Sequence, residues 1–93
     1  MFKTNEYFEG RVKSLSFENN EGPATIGVMA PGEYEFGTSK KEYMTVTCGR
    51  MEIKLPEAKE WIEVEAGKIF EVEANRSFNV RVEEETSYLC LYR

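Results

Sequence analysis

Along most of the chain hydrophobic and polar residues alternate with a period of two, in short apolar runs separated by Gly, Pro, Asn or charged clusters. Successive side chains of a β-strand point to opposite faces, so this period predicts strands; no segment predicts a helix longer than a turn or two. Ala24, Ile26 and Val28 share one face of an early segment. Tyr34, Phe36 and Thr38 share a face of the next, with Glu33 and Glu35 opposite. Between residues 42 and 55, Met44, Val46 and Cys48 alternate with Tyr43, Thr45 and Thr47, and Gly49-Arg50 reads as a hairpin turn returning through Met51, Ile53 and Leu55. Pro56-Glu57-Ala58-Lys59-Glu60 breaks the pattern, after which residues 61–65, 69–72 and 78–82 form further strands with turns at Gly67 and Asn75-Arg76.

Residues 86–92 are apolar on both faces, which predicts a central strand between two layers or beneath a subunit interface. Short strands recurring every 8 to 12 residues or so point to a sandwich or barrel, and a jelly-roll β-barrel, which hides its strand edges, fits best. The polar stretches 18–23, 39–41 and 83–85 are the expected mobile connections. None is long enough to separate domains, so residues 1–93 read as a single all-β domain.

Composition narrows the function. A hydrophobic fraction of 41% with 13% aromatic residues suffices for a packed core. The net charge of −5 argues against nucleic acid or anionic lipid as partners, although a local pair of cations can still hold a small anion. Cys48 and Cys90 form no CxxC pair and read as small hydrophobes inside a reduced protein. The N-terminus has no basic region followed by an apolar run, and no stretch approaches the length of a membrane span, which predicts a cytoplasmic protein without membrane contact.

The chain has no histidine, so imidazole bases, shuttles and metal ligands are excluded, and with them Ser-His-Asp and Cys-His catalysis. No glycine-rich phosphate loop precedes a helix. Glu42 opens a strand whose next even positions, Met44 and Val46, are apolar, so it borders the interior or else is a solvated strand end. Arg11 and Lys13, two apart on a strand, point to one face; they can hold a dianion such as phosphate or protect a strand edge. Arg76 and Arg81 are weaker candidates. Tyr34, Phe36, Phe78, Tyr88 and Tyr92 either line a pocket where a planar base stacks or simply fill the core.

Asn5-Glu6-Tyr7-Phe8, Gly27-Val28-Met29, Gly32-Glu33-Tyr34-x-Phe36, Glu42-x-Met44-Thr45-Val46-x-x-Gly49 and Thr86-Ser87-Tyr88-Leu89-Cys90 occur in order from residue 5 to residue 92. Together they resemble the small pyrimidine/purine nucleoside phosphorylase family. That family is similar to the cupin superfamily, whose first motif ends in Glu, six residues, then Gly, the separation of Glu42 and Gly49. In the second motif Glu73-Ala74-Asn75 takes the place of the usual Pro-x-Gly turn, with Asn75 tolerating the left-handed backbone that Gly would supply. The superfamily's metal-binding histidines are replaced near Phe36, Thr38 and Phe78.

The resemblance implies a metal-free cupin-type barrel that cleaves purine and pyrimidine ribonucleosides with phosphate, giving a free base and ribose 1-phosphate, with no cofactor beyond inorganic phosphate. For such a reaction Glu42 is expected as the catalytic residue at the ribose, Arg11 and Lys13 at phosphate, and Tyr34, Phe36, Thr38, Met44, Phe78 and Tyr88 around the substrate. A homodimer burying one face of the last strand is expected. Two other readings stand beside it: a non-catalytic cupin-like module binding a small molecule, and a metal-free sugar isomerase or epimerase.

Overall fold

A computed structural model describes all 93 residues. The chain folds into ten strands: β1 (Lys3–Tyr7), β2 (Val12–Asn19), β3 (Gly22–Met29), β4 (Gly32–Gly37), β5 (Glu42–Cys48), β6 (Arg50–Lys54), β7 (Ile62–Glu65), β8 (Ile69–Val72), β9 (Ser77–Val82) and β10 (Thr86–Tyr92). They form two antiparallel sheets, ordered β1-β2-β3-β10-β5-β8 and β4-β9-β6-β7. The sheets face each other as the two walls of a cupin-type jelly roll. As the doubly apolar pattern predicts, β10 is central, between β3 and β5.

Alternation decides what each wall contributes. From the larger sheet Val12, Met29, Met44, Val46, Phe70, Val72, Tyr88 and Cys90 turn inward; from the smaller come Tyr34, Met51, Ile53, Val64, Phe78, Val80 and Val82. Burying such side chains contributes about 25 cal/mol per Å² of apolar surface removed from water, and this is the main force holding the walls together.

The structure departs from the sequence pattern at four places. Gly49-Arg50 is no hairpin: β5 and β6 lie in different sheets and do not pair, so the chain turns a corner here. Gly49 has φ +88°, and a Cβ there would lie 2.6 Å from Thr86 Oγ1, so the corner needs both the left-handed backbone and the absent side chain. On β3 the apolar Ile26 and Val28 face solvent, while Thr25, Gly27 and Met29 face the interior. Cys48 is exposed; only Cys90 packs inside. The 18–23 stretch, expected as a mobile connection, is mostly strand: β2 and β3 pair as far as Asn19↔Gly22.

Candidate functional site

The two walls do not meet completely, and between them lies a cavity of about 360 Å³. The larger sheet supplies a polar wall. On β2 and β3, Val12 and Ser14 stand opposite Met29 and Gly27, and on β10 Tyr88, Cys90 and Tyr92 stand opposite Val46, Met44 and Glu42 of β5. The smaller sheet supplies an aromatic wall, Phe36 of β4 beside Phe78 of β9 with ring centroids 5.7 Å apart. Gly27 makes room for this arrangement, since a Cβ there would lie 2.7 Å from the Tyr88 hydroxyl and 2.6 Å from the Lys13 carbonyl oxygen.

Six residues singled out from the sequence meet in this cavity: Glu42, Phe36, Met44, Phe78, Tyr88 and Tyr92. Tyr34 and Thr38 do not line it. The Tyr34 ring is buried and its hydroxyl donates to the Ala30 carbonyl. Thr38 is a clasp, donating to the Glu73 carbonyl at 2.7 Å and accepting from the Arg76 amide at 3.0 Å. That clasp closes the turn where Asn75 adopts φ +61°, the left-handed conformation anticipated from the sequence.

Arg11 and Lys13 are not brought to the cavity either. Val12 and Ser14 point inward, so their neighbours point outward. Lys13 pairs with Glu6 at 3.5 Å, and both cations line a separate groove with Cys48, Glu85 and Ser87. Arg76 pairs with Glu57, and Arg81 with Glu52 beneath the Trp61 ring.

The cavity also holds residues that strand periodicity could not find. Tyr7, at the end of β1, and Phe8, in the turn that follows, also line it, and in that turn Phe8, Glu9 and Gly10 take φ values of +54°, +59° and +85°. Left-handed backbone costs a non-glycine residue roughly 1–2 kcal/mol, so the turn is held by its contacts. The Phe8 ring sits 4.9 Å from that of Tyr34 and 5.6 Å from that of Phe36, extending the aromatic wall to the surface. Ser14, Met29, Glu35, Gly37 and Ser39 complete the lining.

Burial sets the protonation of this polar wall. It raises the Glu42 carboxyl above its ordinary range, partly offset by Cys90, whose Sγ donates to Glu42 Oε1 at 3.5 Å. It lifts the Tyr88 phenol to about 12 and moves the Cys90 thiol and the Tyr92 phenol upward as well. Tyr92 shares a 2.9 Å hydrogen bond with Thr25. Near neutral pH the wall therefore offers hydroxyl donors around a single half-buried carboxyl. No cluster of three or more metal-ligating side chains occurs. The cavity suits a ligand with one flat apolar face and one face of hydroxyl groups.

A family model described as "Pyrimidine/purine nucleoside phosphorylase" matches residues 2–92. Curated relatives of that name from Pseudomonas entomophila (strain L48) and Alcanivorax borkumensis are 56% and 55% identical, covering 100% and 99% of this chain and 99% and 98% of theirs. A solved structure of a protein of unknown function from Vibrio parahaemolyticus superposes with a TM-score of 0.93 at 43% identity over 97% of this chain and 96% of that one. The Clostridium difficile EutQ protein, 11% identical with a TM-score of 0.71 over 85% of this chain and 64% of its own, shares the fold alone.

Proposed function

The chain belongs to the pyrimidine/purine nucleoside phosphorylase family, and from that membership we propose how its cavity carries out the reaction. The enzyme is a pentosyltransferase that cleaves purine and pyrimidine nucleosides with phosphate. Its nucleoside lies with the base along Phe8, Phe36 and Phe78 and the ribose toward Glu42, which accepts hydrogen bonds from the sugar hydroxyls. The observation that carries this reading is the one half-buried carboxyl set across the cavity from an aromatic wall.

The chemistry needs little more from the protein. As the bond from ribose C1′ to the base nitrogen breaks, the base leaves with the electron pair and positive charge builds on the sugar. A phosphate oxygen bonds to C1′, and the proton of monohydrogen phosphate balances the departing base, so ribose 1-phosphate and the neutral base result. Phosphate is both nucleophile and counter-charge, which leaves positioning and electrostatics to the residues and requires no cofactor. Stacking accepts one-ring and two-ring bases alike, because a hydrogen-bond pattern matched to one base is what rejects the others.

The active form is a homodimer paired through the outer face of the larger sheet. Leu15, Ile26, Leu89, Thr45 and Ile69 stand opposite one another across five adjacent strands there, and Ile26 and Ile69 are 47% and 58% exposed. A flat apolar row of this kind is self-complementary about a two-fold axis. Unpaired thiols, one of them exposed, suit a reducing compartment, and the cytoplasm is where we place the enzyme.

The decisive experiment incubates the protein with uridine or adenosine, with and without phosphate. Base release that requires phosphate and yields ribose 1-phosphate is expected. Release at the same rate without phosphate, or nucleoside binding without turnover, would overturn the reading.

A further inference from the structure

The cavity has no lysine or arginine on its walls and is bordered by two carboxylates, Glu35 and Glu42. The reaction's second substrate is nevertheless an anion, which must be held against that field. Holding it takes hydrogen-bond donors and positive charge within reach of the ribose. Arg11 and Lys13 lie in a different groove.

The connection between β4 and β5, Thr38-Ser39-Lys40-Lys41, provides both at the rim. Ser39 lines the cavity two residues after Gly37 and three before Glu42, both of which line it too. The connection is pinned at each end: the Thr38 amide donates to the Arg76 carbonyl at 2.8 Å, and the Lys41 amide to the Arg93 carbonyl at 3.2 Å. Between these anchors the Ser39 and Lys40 amides donate to no other backbone group. Lys41 is already engaged, its ammonium 3.2 Å from Glu71, 3.4 Å from Glu73 and over the Tyr43 ring. Lys40, one residue nearer the cavity-lining Ser39, is exposed and belongs to no ion pair.

We propose that the β4–β5 connection is the phosphate site: the Ser39 hydroxyl and the Ser39 and Lys40 amides donate to phosphate oxygens at the cavity rim, and the Lys40 ammonium supplies the charge. This rests on the phosphorolysis reading of the same cavity. It replaces the cation pair Arg11 and Lys13 with a pinned loop three residues from the carboxyl at the ribose, so that nucleophile and sugar meet at one end of the cavity. Backbone amides and a short hydroxyl suit a nucleophile that must be oriented, and a flexible ammonium adds attraction without fixing geometry.

The test is steady-state kinetics with phosphate varied at saturating nucleoside, then nucleoside varied at saturating phosphate. Lys40→Ala should raise the KM for phosphate about tenfold, the size of one charge-assisted hydrogen bond, and leave the KM for nucleoside nearly unchanged. Ser39→Ala should act in the same direction, and Lys40→Arg should restore most of the loss. The double variant Arg11→Ala/Lys13→Ala serves as a control for net charge and should leave the phosphate KM in place. Both loop positions are exposed, and an unchanged circular dichroism spectrum confirms the fold. A phosphate KM untouched by Lys40→Ala and Ser39→Ala, or raised equally by the Arg11/Lys13 double variant, overturns the loop assignment while leaving phosphorolysis intact. Wild-type base release that ignores phosphate removes the parent reading and the loop assignment together.

Discussion

At the scale of single residues, Glu42 shows how a site is built at some cost to the fold. Its carboxyl is raised by burial, so the folded protein binds the proton more tightly than the unfolded chain does. Wild-type stability is then lost as pH rises from the ordinary glutamate range through the raised folded value. Glu42→Gln keeps the shape and removes the charge. Its melting temperature should exceed that of wild type at pH 7, and the gap should close as pH falls below the ordinary range. A gap that does not change with pH would mean that burial of the charge is not what shifts this group. The same variant should lower kcat on the order of 10²-fold, the scale seen when one preorganised polar contact to a transition state is removed.

At the scale of elements, the corners matter more than the strands. Gly49 carries the chain from one sheet to the other with Thr86 pressed against it; Gly67 has the same φ of +88° but nothing within 4 Å of where a Cβ would sit. Gly67→Ala should therefore cost only the left-handed penalty of about 1 kcal/mol. Gly49→Ala adds a clash with the Thr86 hydroxyl at 2.6 Å and crowding at 3.1 Å against the Glu85 carbonyl oxygen, and should cost more than about 2 kcal/mol by urea denaturation. Equal losses at the two glycines would show that packing at the corner is not what selects glycine there.

At the scale of the whole molecule, the larger sheet has two working faces. Its inner face carries the polar wall of the cavity, and its outer face carries the apolar row from Leu15 to Ile69. Ile26→Glu places a charge in the middle of that row without touching the cavity, because Ile26 points away from it. Wild type should elute as a dimer in size-exclusion chromatography with light scattering, and the variant as a folded monomer. A monomeric wild type would remove the interface.

The order of hydrophobic and polar residues determined the all-β architecture and the central place of residues 86–92, and it put Glu42 on one face with Met44 and Val46, because period-two alternation acts locally and needs no knowledge of partners. The absence of histidine likewise restricted the chemistry before any fold was known. What alternation cannot tell is which of two faces becomes the interior. Ile26 and Val28 look like core and lie outside, while Thr25 and Gly27 look like surface and lie within. Nor can it tell whether two consecutive strands pair or part at a corner, so Gly49 read as a hairpin. Phe8 and Ser39 belong to connections, which have no periodicity, and the opposite side of Arg11 and Lys13 follows only from Val12 and Ser14 facing inward. These are decided by contacts between segments far apart in sequence, and only the packed pair of sheets supplies them.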